Sequence, residues 1–186
     1  MRRLSVIALI LLAMSPVSQM HGQALPTAVG PGKSIKVGGG YALYRVDYGK
    51  RDIAGYQAWV DANFYWRIGV EAEARRLRHH TDLNTYADTY LIGPRWVLLR
   101  RNLSPYVKGM VGVGKFNFPY NYGHGSYFVV AGGGGVDLPI AKRIQWRVVD
   151  VEYQKWPQFT FGSMTSMGVS TGISITLYHG ATWRTD

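Results

Sequence analysis

The sequence lacks cysteine and has only one long apolar run. No cysteine occurs among its 186 residues, so an exported protein of this sequence must be stabilised by packing and backbone hydrogen bonds rather than by disulfide bonds. The apolar run lies at the N-terminus and is shorter than the roughly 20 residues that a membrane-spanning helix requires. The sequence therefore predicts no helical membrane anchor.

The first two dozen residues have the organisation of a secretory signal peptide. Two arginines precede the apolar run of residues 4–14, and small residues follow up to Ala24. A basic start, an apolar middle and a small-residue cleavage site are the features that direct export. We expect residues 1–24 to be the signal peptide, residues 25–33 a short lead, and residues 34–186 a single domain.

Between residues 53 and 177 the chain repeats one pattern, in which apolar or aromatic residues alternate with polar or charged ones. In the second strand-length segment, for example, Tyr56 and Val60 share one parity and Asp61 has the other. Alternation with a period of two is typical of β-strands. We predict eight strands, near residues 35–47, 53–66, 68–78, 85–99, 105–115, 127–138, 143–155 and 165–178.

The connections between these segments differ in length. The tight ones are residues 65–67, 100–104 and 139–142, and the longer, aromatic ones are residues 116–126 and 156–164. Short turns at the inner end and longer loops at the outer end are typical of β-barrels that span an outer membrane. The sequence therefore predicts an all-β fold, an eight-stranded antiparallel up-and-down transmembrane β-barrel.

The facing of the charged residues is the main evidence for a membrane barrel. Eight strands enclose little more than side chains, so a wide aqueous pore is not expected. With the apolar faces outward, the lumen receives six acids and four bases, whose pairing offsets the cost of removing them from water. The predicted luminal charges are Asp61, Glu71, Glu73, Arg75, Arg95, Lys108, Asp137, Arg147, Asp150 and Glu152.

Outward aromatic residues should form girdles at the two membrane interfaces. We expect Tyr86, Phe128 and Trp156 at the outer ends of the strands. At the inner ends we expect Trp66, Trp96, Trp146 and Trp183.

Three places interrupt the regular strand pattern. The apolar parity changes near Leu43 and again near Val148, and one extra residue at each place would restore the facing, so we predict a β-bulge at both. Pro94 lies inside a predicted strand, where it removes a backbone donor, so we expect a local irregularity there.

Four stretches carry a family resemblance. They are LIGPR (residues 91–95), PYVKGMVGVGKFNF (105–118), GGGGVD (132–137) and RVVDVEYQKWP (147–157). They resemble the small outer-membrane β-barrel proteins of the OmpA-like transmembrane type, over nearly the whole mature chain. The resemblance implies a monomer in the cell outer membrane that contacts outer-membrane lipid, lipopolysaccharide and the outer-membrane assembly machinery.

The chain departs from this family in two ways. We expect no periplasmic peptidoglycan-binding domain after the barrel, so attachment to the cell wall is not implied. Proteins of this family usually present a terminal aromatic residue to the assembly machinery, whereas this sequence ends in residues 181–186 without one at its last position. Trp183, which has the parity of Ile173 and Leu177, would replace it. Because the family includes structural and adhesive members, we expect a structural or surface-interaction protein.

Arg76 and Arg78 are the candidate ligand-binding residues. Both are predicted to face outward at the outer end of the third strand, where arginine can form charge-assisted hydrogen bonds with the phosphate groups of lipopolysaccharide. The alternative is that they only keep the rim soluble. The net charge of +10 does not indicate nucleic-acid binding, because Lys and Arg are scattered and form no basic cluster.

An enzyme is the weaker alternative. His79, His80 and His124 lie on predicted outer loops, where a lipid A-modifying enzyme would place its reactive groups. An activated nucleophile needs a base and an orienting group within hydrogen-bond reach, and the sequence alone does not show such an arrangement. We predict no enzymatic activity, no cofactor and no metal site. A soluble secreted barrel with an apolar ligand cavity, and a narrow ion channel with a continuous wet path, are further alternatives.

Overall fold

A computed structural model of the protein describes residues 33–47, 51–65, 67–78, 86–99, 103–117, 124–159 and 162–179. Within them, no helix is long and apolar enough to cross a membrane. The strands are β1 (Ser34–Val46), β2 (Arg51–Tyr65), β3 (Ile68–Arg78), β4 (Tyr86–Val97), β5 (Ser104–Asn117), β6 (His124–Pro139), β7 (Ile144–Phe159) and β8 (Gly162–His179).

The eight strands form one closed barrel. Each strand pairs with its sequence neighbours in antiparallel orientation, and β1 pairs with β8 to close the ring. The prediction of an eight-stranded antiparallel up-and-down barrel is therefore confirmed. Ser34 and His179 are cross-strand partners, and we call the end of the barrel where they lie the terminal end and the opposite end the far end.

The strand boundaries agree with the prediction to within four residues, but one loop was wrong. The connection between β7 and β8, predicted as a long loop over residues 156–164, is reduced to residues 160–161 because both strands extend toward each other. Phe159 pairs with Gly162, whose φ of 112° lies in a region that residues with a Cβ rarely adopt. A glycine permits this backbone conformation at the start of β8.

An apolar belt surrounds the outside of the barrel. Near the middle of the strands one row of outward-facing side chains is exposed or half-buried. The row includes Val37, Val60, Ala72, Ile92 and Val111, each the cross-strand partner of the next. Because this face has no packing partner within the described chain, its burial requires an apolar environment outside the protein.

The predicted bulge near Val148 is confirmed. Against β6, the partners step from Val136–Val149 to Asp137–Arg147, which leaves Val148 as the extra residue. The pairing of β7 with β8 shifts at the same place. The extra residue lets Arg147 and Asp150 both face the lumen.

The predicted bulge near Leu43 is wrong. The pairing of β1 is continuous past Leu43 on both sides, and its side chain is exposed while those of Tyr44 and Val46 are buried in the lumen. The apparent change of parity arises because this part of the lumen is itself apolar. The register of β1 with β8 instead shifts between Ile35 and Lys36.

The irregularity expected at Pro94 lies on one side of the strand. The pairing of β4 with β5 runs from Ile92–Val111 directly to Arg95–Lys108, while Pro94 still pairs with Val70 of β3. The missing donor of proline thus interrupts one ladder without changing its register.

The aromatic girdle is only partly as predicted. Trp96, Trp146 and Phe128 are exposed on the outer face, and Tyr86 is half-buried. Trp156 was placed wrongly: it is only 1% exposed and lies inside the lumen. The bulge at Val148 is the reason, because beyond it the even-numbered residues of β7 face inward. Trp66 and Trp183 lie outside the described residues.

Candidate functional site

The ten predicted luminal charges are all buried, each at most 5% exposed. They come from β2 to β7 and are brought together by the register, which sets Asp61 opposite Glu71 and Arg95 opposite Lys108. We call these ten side chains the ionic layer. Sequence parity placed each of them on the inner face, but their partners across the lumen follow only from closure of the barrel.

Lys108 occupies the centre of the ionic layer. Its Nζ lies 3.0 Å from Glu71, 3.0 Å from Glu73, 2.6 Å from Asp150 and 3.3 Å from Glu152. One ammonium group therefore contacts four carboxylates that belong to β3 and β7, on opposite sides of β5.

The three arginines of the ionic layer each bridge several acids. The Arg147 guanidinium lies 3.0 Å from Glu71 and 3.3 Å from Asp150. That of Arg95 lies 2.5 Å from Asp137, 3.1 Å from Asp61 and 3.3 Å from Glu71. Arg75 lies 3.0 Å from Glu152 and also pairs with Glu73. Such shared contacts compensate part of the cost of burying charge.

Three aromatic rings lie against these guanidinium groups, and the sequence analysis missed them because it placed aromatic residues on the outer face. Arg95 lies 3.9 Å from the centroid of the Tyr106 ring. Arg147 lies 4.1 Å from that of Trp59, and Arg75 lies 4.4 Å from that of Tyr44. At these distances the ring faces attract the cations. Strand parity could have found two of them, because Trp59 is on the same face of β2 as Asp61, and Tyr106 is on the same face of β5 as Lys108.

Toward the far end the lumen is mainly apolar. We call this group of buried side chains the apolar layer; it consists of Ala42, Tyr44, Val46, Ile53, Leu77, Ala87, Leu91, Met110, Phe116, Val129, Ala131, Trp156 and Met164. Gln154 joins the two layers. Its Oε1 accepts a hydrogen bond from Trp156 Nε1 at 3.3 Å, and its Nε2 donates to Glu152 at 2.8 Å.

The rim arginines Arg76 and Arg78 lie on the outer face near the far end of β3. Their side chains are 71% and 47% exposed. Both reach Asp88 of β4, at 3.8 Å from Arg76 and 2.5 Å from Arg78, and Arg78 also lies 4.8 Å from the centroid of the Tyr86 ring. The two arginines form one exposed cluster with a single carboxylate.

The histidines of the enzyme alternative fall outside the described side chains. His79 and His80 lie between β3 and β4, and only the backbone of His124 is described, as the first residue of β6 rather than as a loop residue. Among the residues that the structure does describe, no group of three or more His, Asp or Glu side chains could hold a metal ion.

Comparison with known proteins identifies the fold. No protein-family model and no curated protein matches the chain in sequence. A solved structure of Neisserial surface protein A, NspA, superposes with a TM-score of 0.63 at 8% identity, over 77% of this chain and 96% of NspA. The fold is that of the small outer-membrane barrels. The outer membrane protein AlkL, solved in lipid bilayers, has a TM-score of 0.52 at 12% identity over 84% of this chain and 96% of AlkL.

These likenesses confirm the predicted kind of barrel. Both solved proteins are covered almost completely, so the eight strands of this chain correspond to the whole of each small outer-membrane barrel. At such low identities the likeness concerns the backbone fold, and the functional argument rests on the side chains of this chain.

Proposed function

We propose that the protein is a non-enzymatic, integral outer-membrane β-barrel with a structural or surface-interaction role and a lumen closed by its own side chains. One observation carries the proposal: large apolar side chains such as Ile92 and Val111 are exposed outside, while ten charges are buried inside. A bilayer offers the apolar surroundings that this outer face requires, and closure satisfies the backbone groups of all eight strands.

The filling of the apolar layer argues against a soluble barrel with an apolar ligand cavity. The space left among Tyr44, Leu77, Phe116 and Trp156 in the apolar layer is only about 10 Å³. This is no more than one water molecule occupies, whereas ligand pockets measure roughly 300–1,000 Å³. The same filling opposes a channel, because an ion would have to pass both the apolar layer and the ionic layer.

Membrane fractionation tests the proposal directly. We expect the protein in the outer-membrane fraction and an unheated gel mobility that differs from the heated one, because a closed barrel in detergent resists unfolding until it is boiled. Recovery from the soluble periplasm without a mobility shift would overturn it. We expect the N-terminus of the recovered protein to be Leu25 and cross-linking to yield a monomer. Depletion of the assembly machinery should prevent recovery of the protein from the outer membrane. The purified protein should show no conductance in planar bilayers and should release no acyl chain from lipid A.

We further propose that the rim arginines bind lipopolysaccharide. Arg76 and Arg78 share one carboxylate, that of Asp88, so the cluster keeps an excess positive charge. Lys115 adds another cation, because it is exposed and is the cross-strand partner of Asp88 on β5. Exposed guanidinium groups above an apolar belt match the geometry of a phosphorylated lipid whose chains lie against that belt.

A charge-reversal pair tests this contact. We expect Arg76→Glu with Arg78→Glu to lower the amount of lipopolysaccharide that co-purifies with the folded barrel. The control is Lys142→Glu with Arg143→Glu, which changes the net charge equally at exposed positions of the terminal end. Equal co-purification for the two double variants would exclude the rim arginines as the site.

A further inference from the structure

The apolar belt is recessed where β2, β3 and β4 run side by side. A groove of about 430 Å³ opens there on the outer face. Three alanines, Ala58, Ala72 and Ala74, line it. Ala58 is the cross-strand partner of Ala74 on β3 and of Gly39 on β1. Because these four residues have a methyl group or no side chain at all, the outer surface lies closer to the backbone here than at the bulky residues around it.

Larger apolar side chains border the groove on two sides. Val37 and Val60 lie on the side of β1 and β2, and Tyr90 and Ile92 lie on the side of β4. All four are exposed on the outer face. Glu73 is the one charged residue among the described lining residues, and its side chain points away from the groove, into the ionic layer. The groove therefore presents an apolar surface with raised edges, which suits a hydrocarbon chain.

Arg76 lies at the far-end side of the groove. It follows Ala74 by two residues on β3, so the two side chains are on the same face of the strand and about 7 Å apart along it. Among the described residues its one ion pair is with Asp88, at 3.8 Å, and Arg78 contacts the same carboxylate more closely, at 2.5 Å. The Arg76 side chain is 71% exposed. A cation with little neutralisation therefore stands directly above an apolar groove.

From this arrangement we propose that the groove holds one acyl chain of the phosphorylated outer-leaflet lipid whose phosphate group contacts the rim arginines. The inference rests on the lipopolysaccharide contact proposed above, and it adds a second point of attachment for the same lipid. A phosphate at Arg76 directs the chains of its lipid toward the middle of the belt, where Ala72 lies. Since bilayer chains are as apolar as the belt, packing decides which chain stays. A chain in the groove has protein atoms on three sides and gains more dispersion energy than a chain on a flat face.

Filling the groove tests the proposal. The probe is lipid A, the phosphorylated lipid part of lipopolysaccharide, added to the folded barrel in non-ionic maltoside and counted as bound lipid by native mass spectrometry. We expect Ala58→Leu and Ala74→Leu each to raise the apparent Kd for lipid A at least about fivefold, because the leucine takes the space of the chain. The matched control is Ala62→Leu, on the outer face of β2 but outside the groove, which should leave the Kd unchanged.

A second measurement locates the chain in the unmodified protein. In deuterated detergent, the methyl groups of Ala72 and Ala74 should give NOEs to the acyl-chain protons of lipid A, and that of Ala62 should give none. Unheated gel mobility shows that each variant is folded, and the two filling variants lie on different strands, so a folding defect in one leaves the other to decide.

Equal Kd values for both filling variants and Ala62→Leu, or equal NOEs at all three alanines, would overturn the groove as a chain site. The lipopolysaccharide contact would still stand if Arg76→Glu with Arg78→Glu raised the Kd in the same assay. If that charge-reversal pair left the Kd unchanged as well, both the contact and the groove inference would be overturned.

Discussion

The ammonium group of Lys108 lies 3.0 Å from Oε1 of Glu71, although β5 and β3 are not neighbours in the sheet. The contact therefore crosses the lumen. The same ammonium group also contacts Glu73, Asp150 and Glu152. A single cation thus links strands from opposite sides of the barrel.

Removal of the Lys108 charge should destabilise the barrel strongly. We expect Lys108→Met to lower the free energy of unfolding by about 3–5 kcal/mol, because four buried carboxylates lose a shared partner. Urea titration followed by unheated gel mobility measures the loss. The control, Lys155→Met, removes an exposed cation from β7 and should change the free energy of unfolding by no more than about 0.5 kcal/mol. Equal stabilities would mean that the ionic layer contributes little.

A glycine in β5 makes room for Trp156. A Cβ added at Gly114 would lie 2.2 Å from a ring carbon of Trp156, so we expect Gly114→Ala to cost about 1–3 kcal/mol of unfolding free energy through overpacking. The matched control is Gly132→Ala on β6, where nothing lies within 4 Å of the added carbon. A loss of stability in the control as large as that in Gly114→Ala would contradict this explanation.

The bulge at Val148 can be tested by deletion. Deleting Val148 makes the pairing of β7 continuous with both β6 and β8 and keeps Arg147 and Asp150 facing inward, so we expect the heat-dependent mobility shift to persist. Deleting Val151 instead reverses the facing of one part of the strand and turns charges outward. That variant should not fold, and equal behaviour of the two deletions would show that facing does not control assembly.

The apolar belt should respond to charge according to depth in the proposed bilayer. Val111→Arg places a charge in the middle of the belt and should cost about 2–4 kcal/mol of unfolding free energy in lipid vesicles. Ser126→Arg, exposed near the far end of β6, should cost about 0–1 kcal/mol. Urea titration in vesicles gives both values. If Val111→Arg costs no more than Ser126→Arg, the belt does not face hydrocarbon.

The inward facing of Asp61 and Glu71 was predictable from alternation alone, because a strand sends successive side chains to opposite faces. The facing of Trp156 was predictable as well, since beyond the predicted bulge at Val148 it has the parity of Asp150 and Glu152. The inward facing of Tyr44 could not be predicted, because the sequence shows only that a residue is apolar, and apolar side chains line both the outer face and the apolar layer.

The amino-acid sequence by itself determined the strands, their number and the inward parity of the ionic layer, because these follow from local alternation. Closure of the barrel decided the rest. It brought Lys108 to four carboxylates, set Arg95 against Tyr106 and filled the far end. These features join residues far apart in the chain, so they depend on the register and curvature that only the complete ring of strands fixes.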